Sequence, residues 1–187
     1  MSKGAPGVRY AEVERESPGL RVSVVLDLDG GNHRDIATGF PFLDALLHEW
    51  ARCGRLNLGI QVVSEARGMD YVVLSEVGLA LGTAYRQCVE DSAAVVGYAS
   101  EQTPYRDALV QIALEHSETL HFSFEVALDP GAVQGLHPAS VRALLHSFGS
   151  AAGLSIHVRS LAGDSSVPVI TAIFRGVGSC LFASGAP

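Results

Sequence analysis

Seven histidines and three cysteines are the side chains of this 187-residue chain best suited to hold a metal, attack a substrate or move a proton. Their spacing excludes most of that chemistry. Cys53, Cys88 and Cys180 are odd in number and far apart, with no CxxC pair for zinc and no disulfide framework, so they read as reduced thiols. Cys53 has no evident base beside it and reads as a buried apolar thiol. The segment GDSSVP, residues 163–168, lacks the lysine and glycines of a Walker phosphate loop, and spacing alone defines no Ser/His/Asp arrangement. Proton transfer remains, because one histidine and one glutamate can run it. His48 and His146 hold matching places in two ALLH segments and read as capping or surface residues. Glu49 reads as part of a solvated face, and His33, His121 and His137 as exposed residues at turn, strand and helix edges. The most unusual place is DYVVLSE, residues 70–76. A helix start near a loop with glycine and aspartate ordinarily presents polar side chains, yet Tyr71, Val72, Val73 and Leu74 present almost none.

The elements that must position these residues come in two copies. FLDALLHEWARCGRLNLGIQV, from Phe42, lies over SVRALLHSFGSAAGLSIHVRS, from Ser140, and such self-similarity marks one supersecondary unit used twice. Leu43, Leu46, Leu47 and Trp50 recur at helical spacing in the first copy, and Val141, Leu144, Leu145 and Phe148 in the second. Pro41 and Pro138 suit a first helical turn, where a missing N–H costs nothing. Each helix precedes an alternating, half-buried strand, Leu56 to Val62 and Leu154 to Val158. A second helix then closes each unit, along Leu74, Val77, Leu81, Ala84 and Cys88, and along Ile170, Ile173, Phe174, Val177 and Leu181. Ahead of the first helices the expectation is a hairpin from Leu20–Asp27 through DLDGGNH to Ile36, and another from Leu120–Leu128 turning at DPGAVQG. The predicted class is α+β, an internal duplication with helices packed between two small sheets, its halves spanning 1–94 and 95–187.

Composition limits the partners. With 48% hydrophobic and 18% charged residues the chain can bury a core, and a net charge of -7 argues against binding a phosphate backbone, so no nucleic acid is expected. The first residues lack the apolar run of a signal peptide, and no 18-residue apolar segment is expected to cross a membrane. The expected location is cytoplasmic, with a short flexible tail at each end.

At this point the residues resemble a known family. LDLDGGNHRDIATGFPFLDALLH is similar to the DG-x-G and TG-x-x-FLDHM blocks of imidazoleglycerol-phosphate dehydratases. SEVGLALG resembles their ED-x-G-x-x-LG, TPYRDAL their PMDEAL, and IHVRSLAGDSSVPVITAIFR their LH-x-x-x-L-x-G-x-N-x-HH-x-x-E-x-x-FK. The resemblance runs from about Arg9 to Leu181. It implies that family's fold, with helices between two sheets. It also implies two manganese ions held by imidazoles and carboxylates, and trimers joined into a 24-subunit shell with ligands from neighbouring subunits.

The positions that carry the chemistry depart from that pattern. Ala45 stands at the histidine of FLDHM, Tyr71 and Val72 at the first HH pair, Ser75 at its glutamate and Glu76 at its aspartate. Val167 and Pro168 stand at the second pair and Thr171 at its glutamate, leaving His157 of the LH element. The acid/base glutamate falls on Gly19, the phosphate-binding arginines on Gly97 and Thr119, and Cys53 on a histidine, while Arg15 and Ser17 fit and Arg175 replaces a lysine. What the resemblance then implies is a dehydratase-like protein without its dimanganese site, with no metal and no cofactor, unable to dehydrate imidazoleglycerol phosphate. It would be refitted for a metal-independent isomerisation, cyclisation or elimination on a small metabolite. The alternatives are a non-catalytic binding or assembly homologue, and a residual dehydratase. The expected catalytic residues are His157, Glu76 and Tyr71, with Cys53, Glu115 and His116 near the rim, and Arg175 and Arg15 as substrate contacts. His157 can equally be structural, Tyr71 can merely fill vacated volume, and Arg175 can be a surface charge. The expected assembly is a homo-oligomer, a trimer or the 24-subunit shell.

Overall fold

The computed structural model describes residues 9–31, 33–65, 69–90 and 97–185. The tails expected at the two ends lie outside the described residues. In chain order the elements are β1 (Tyr10–Ser17), β2 (Leu20–Asp27), β3 (Arg34–Ala37), α1 (Pro41–Gly54), β4 (Asn57–Ser64) and α2 (Asp70–Val89). They are followed by β5 (Tyr98–Tyr105), β6 (Ala108–His116), β7 (Phe122–Glu125), α3 (Pro138–Ala152), β8 (Leu154–Ala162) and α4 (Ser166–Gly185). The sheets have the orders β1-β2-β4-β3 and β5-β6-β8-β7, one topology repeated.

The stripes expected from spacing are the ones buried. Leu43, Leu46, Leu47 and Trp50 are at most 1% exposed, and Val141, Leu144, Leu145 and Phe148 are fully enclosed. Both helices begin with proline in the first turn and end in the left-handed region, at Arg55 (φ 52°) and Gly153 (φ 74°), which frees the chain to turn straight into β4 and β8. The α2 helix lies along α3 and α4 along α1, so each half covers a helix of the other. Trp50 and Phe148, equivalent in the repeat, meet edge to face at 4.9 Å on the line between the halves.

The strand pairing corrects the expected hairpins. The β2 strand lies between β1 and β4, antiparallel to both, and β3 sits at the far edge parallel to β4. Likewise β7 runs parallel to β8, while DPGAVQG closes only an isolated bridge between Val133 and Leu136. The cause is burial and connection. Leu58 and Ile60 are enclosed, so β4 fits a central place, whereas β3 offers only the half-buried Ile36. A helix returning between β3 and β4 makes the pair parallel. The true hairpins are β1–β2, turning at Pro18-Gly19 with Gly19 at φ 73°, and β5–β6. A second correction concerns α4. Ser166–Ser184 is long and apolar enough, by length and composition, to cross a bilayer, contrary to the expectation of no such segment. Some 67% of it is buried against α1, β5 and β6, and an all-round apolar surface is what a core helix requires.

Candidate functional site

The openings of α2 and α4 are the places to test for a metal cradle. Ser75 donates its hydroxyl proton to the Tyr71 carbonyl at 2.8 Å, and Thr171 donates to the Val167 carbonyl at 2.8 Å. These are equivalent positions making the same bond, four residues back along the helix. Val73, Leu74, Val169 and Ile170 point into the core, and Pro168 is buried by its own chain. Val72, Val167 and Pro168 carry no donor atom. Among the described residues no group of three or more His, Cys, Asp or Glu is arranged to hold a metal ion. The sequence resemblance implies imidazole and carboxylate ligands for a pair of ions, and the described side chains at Ala45, Tyr71, Val72, Ser75, Val167, Pro168 and Thr171 offer neither group, so these positions do not fit those ions.

The residues expected to act fall in separate places within one chain. Arg15 on β1 donates from Nε to the Glu76 carboxylate at 2.9 Å, joining the first sheet to α2. Arg175 on α4 donates to Glu49 at 2.6 Å and lies over the Tyr105 ring at 4.1 Å, while Arg52 donates to the same Glu49 oxygen at 2.8 Å. Both arginines expected to meet substrate are thus ion-paired already. Glu49, expected on a solvated face, is corrected to the centre of this cluster. Burial pushes its carboxyl upward, but the two guanidiniums outweigh burial and hold it below its ordinary value. Cys53 is half-buried and accepts from Arg52 at 3.3 Å, rather than sitting in a purely apolar place. Burial raises its pKa, and the enclosed Cys88 and Cys180 thiols are pushed up to about 12 by burial.

His157 lies in the middle of β8, opposite Ala113 and Ser123. Its neighbours Ile156 and Val158 face the helices, so its imidazole stands on the outer face, exposed and without a hydrogen bond or ion pair among the described residues. Glu115 is exposed, and His116 is half-buried 3.2 Å from the Tyr85 hydroxyl, where burial lowers its pKa. His48, His146, His33 and His121 are exposed.

One assembly was not legible from spacing. Asp70, the first residue of α2, accepts three bonds at Oδ2: from the His137 backbone N–H (2.9 Å), from His137 Nδ1 (3.0 Å) and from the Ser140 hydroxyl (2.8 Å). Burial pushes the Asp70 carboxyl up, but these donors prevail and its pKa is lowered. His137 was expected merely as an exposed edge residue. Its ring is exposed but fixed by Asp70, and it lines an open cleft of about 430 Å³ with Tyr71, Pro130, Pro138, Ala139 and Ser140. The sequence signal was slight, since the partners are 67 residues apart.

The architecture defines the class: a duplicated α+β protein with helices enclosed by two four-stranded sheets. Comparison with solved structures gives the same fold. The imidazoleglycerol-phosphate dehydratase of Staphylococcus aureus superposes with a TM-score of 0.83 at 21% identity, covering 94% of this chain and 97% of that one. The Pyrococcus furiosus protein, solved in complex with (S)-C348, gives 0.80 at 20% identity, covering 92% and 93%. In sequence, the dehydratase of Trichodesmium erythraeum is 31% identical over 90% of this chain and 79% of its own length. The chloroplastic protein of Pisum sativum is 30% identical over 94% of this chain and 63% of its own. The imidazoleglycerol-phosphate dehydratase model matches residues 38–181, and the chain belongs to that family.

Proposed function

We propose that this member of the family has lost the dimanganese site, does not dehydrate imidazoleglycerol phosphate, and is refitted for a metal-independent reaction on a small metabolite. The observation that carries the reading is the symmetric commitment of Ser75 and Thr171 to their own helix carbonyls. A short neutral hydroxyl already bonded to the main chain is a poor substitute for a carboxylate toward a divalent cation. The Asp70–His137 pair beside an open cleft favours a reaction over assembly alone. The second reading, a binding or assembly homologue, is favoured by the exposed apolar residues Met69, Tyr71 and Val72 at the start of α2.

Protein purified without chelator is expected to carry far less than one manganese per chain, and a coupled assay to give no dehydration above background. Near-stoichiometric manganese, or turnover matching a true dehydratase, overturns the reading.

The same proposal keeps His157, Glu76 and Tyr71 as candidate catalytic groups and Arg15 and Arg175 as candidate substrate contacts, in a cytoplasmic protein. His157 stands on the outer face of β8 in the second sheet and Glu76 on α2, paired to Arg15 of the first sheet, so we propose that they join a common site only across a subunit boundary. We therefore propose a homo-oligomer, a trimer or a larger shell. Val72, 37% exposed, is available for its contacts, whereas Pro168 is covered by its own chain. Light scattering is expected to give a mass of three chains or a multiple of three, and a clean monomer refutes this.

A further inference from the structure

We propose that Asp70, His137 and Tyr71 form a proton-abstraction site for small, uncharged aromatic or heteroaromatic compounds. The proposal deepens the metal-independent reading and rests on it for its use by the protein. Its chemistry stands on the geometry. The Asp70 carboxylate accepts from His137 Nδ1 at 3.0 Å, which places a ring proton on Nδ1, so that the free lone pair of the uncharged form of the ring is on Nε2. No described residue hydrogen-bonds Nε2, and the ring lines the cleft. Asp70 is itself held by the His137 backbone and Ser140, so it fixes the ring against rotation rather than following it. A buried carboxylate that sets the tautomer of a histidine is the arrangement that makes imidazole an oriented base.

The cleft selects the compound. Its volume of about 430 Å³ lies in the range of sites for small molecules. Pro130, Pro138, Ala139 and the Tyr71 ring give it apolar walls, and among the described residues lining it none is arginine or lysine. An anionic phosphate ester finds no cation among those described residues, whereas a planar ring can lie against Tyr71 and the prolines with its acidic hydrogen toward Nε2. At this cleft His137 is the base, Asp70 its positioning residue, and Tyr71, kept above as a candidate catalytic group, serves as a wall.

The probe is 5-nitrobenzisoxazole, an uncharged bicyclic whose breakdown needs only a base. Nε2 takes the proton from C3, the C–H electron pair becomes part of a nitrile, and the N–O bond breaks to release 2-cyano-4-nitrophenolate, read by its colour. The wild-type protein is expected to show saturable elimination, and His137→Gln to lose it by about 100-fold, a typical contribution of a positioned base. Tyr71→Ala, at a residue 57% exposed and so harmless to folding, is expected to raise KM several-fold. Asp70→Asn is expected to lower kcat with KM held and also to move the pH profile of kcat/KM, whereas a smaller folded fraction scales the rate and leaves the profile in place. Equal rates in wild type and His137→Gln, or a rate that does not saturate, overturn the site. Should His137→Gln fail to fold, an unchanged KM in Tyr71→Ala overturns it as well. Manganese in the purified protein would sink the metal-independent reading while leaving this measurement interpretable, and absent elimination in metal-free protein sinks this site alone.

Discussion

Gly178→Ala is expected to destabilise the protein by about 3 kcal/mol or more, the upper end of what an added methyl in a packed interior costs. On an isolated helix the same change would stabilise by about 1 kcal/mol, since alanine is the better helix former. Packing reverses the sign. A Cβ on Gly178 would lie 2.3 Å from the Trp50 carbonyl oxygen and 3.1 Å from the Gly54 nitrogen, both main-chain atoms of α1 that cannot swing aside. Relief therefore requires α4 to move off α1, which also loosens the contact of Trp50 with Phe174, ring centroids 5.7 Å apart. The repeat supplies an internal check: Gly82 on α2 approaches the Phe148 carbonyl of α3 in the same way, with a Cβ at 2.4 Å. Gly82→Ala should then behave like Gly178→Ala, while Gly97→Ala, facing open space, stays within about 0.5 kcal/mol of wild type. Chemical denaturation measures all three, and a Gly178→Ala midpoint at or above wild type would show that the helices do not meet as closely as described.

These glycines explain how much of the fold could be read from the sequence. The ALLH repeat and the stripes beside it located α1 and α3, because an apolar residue every three or four positions has few other meanings. The order of the strands was another matter. Whether β2 joins the segment that follows it or the more distant β4 depends on which strand has two apolar residues to enclose. That comparison is decided by the assembled core, not by any turn motif. The β6 strand alternates Ala108, Val110, Ile112 and Leu114, all buried, so its signal was present, although β1 and β5, at sheet edges, offered little.

The candidate site divides along the same line. Ser75 and Thr171 are visible in the sequence as departures from the family pattern. That both hydroxyls bond to their own helices required coordinates. Arg15 and Glu76 are 61 residues apart and Arg175 and Glu49 are 126 apart, so their ion pairs had no local signature. A sequence displays four free charges where the folded chain holds two satisfied pairs. Reading Arg15 and Arg175 as substrate contacts was therefore natural, and each would have to leave its carboxylate to serve.

Asp70→Ala is expected to cost about 3 kcal/mol at neutral pH, and to show where structure and chemistry meet in the cleft. The change removes a carboxylate that accepts three bonds, leaving a backbone N–H and the Ser140 hydroxyl, 1% exposed, without their acceptor. It also removes a negative charge lying at the start of two helices, α2 and α3, whose unsatisfied N–H groups favour an anion. The pH dependence has a definite sign. The folded carboxyl has a pKa below its unfolded value of about 3.9. Its contribution is thus present in full above that value and is lost as pH falls through the folded pKa. The difference in Tm between wild type and Asp70→Ala should be present at neutral pH and at about pH 5, then shrink as both proteins are taken into acid through the folded carboxyl's pKa. If the difference instead stayed constant to pH 2, Asp70 would not be ionised against His137 and Ser140, and the fixed tautomer that makes Nε2 a base would lose its support. A difference near zero at pH 7 would remove that support more directly, because a carboxylate that contributes nothing to the fold cannot be holding the ring.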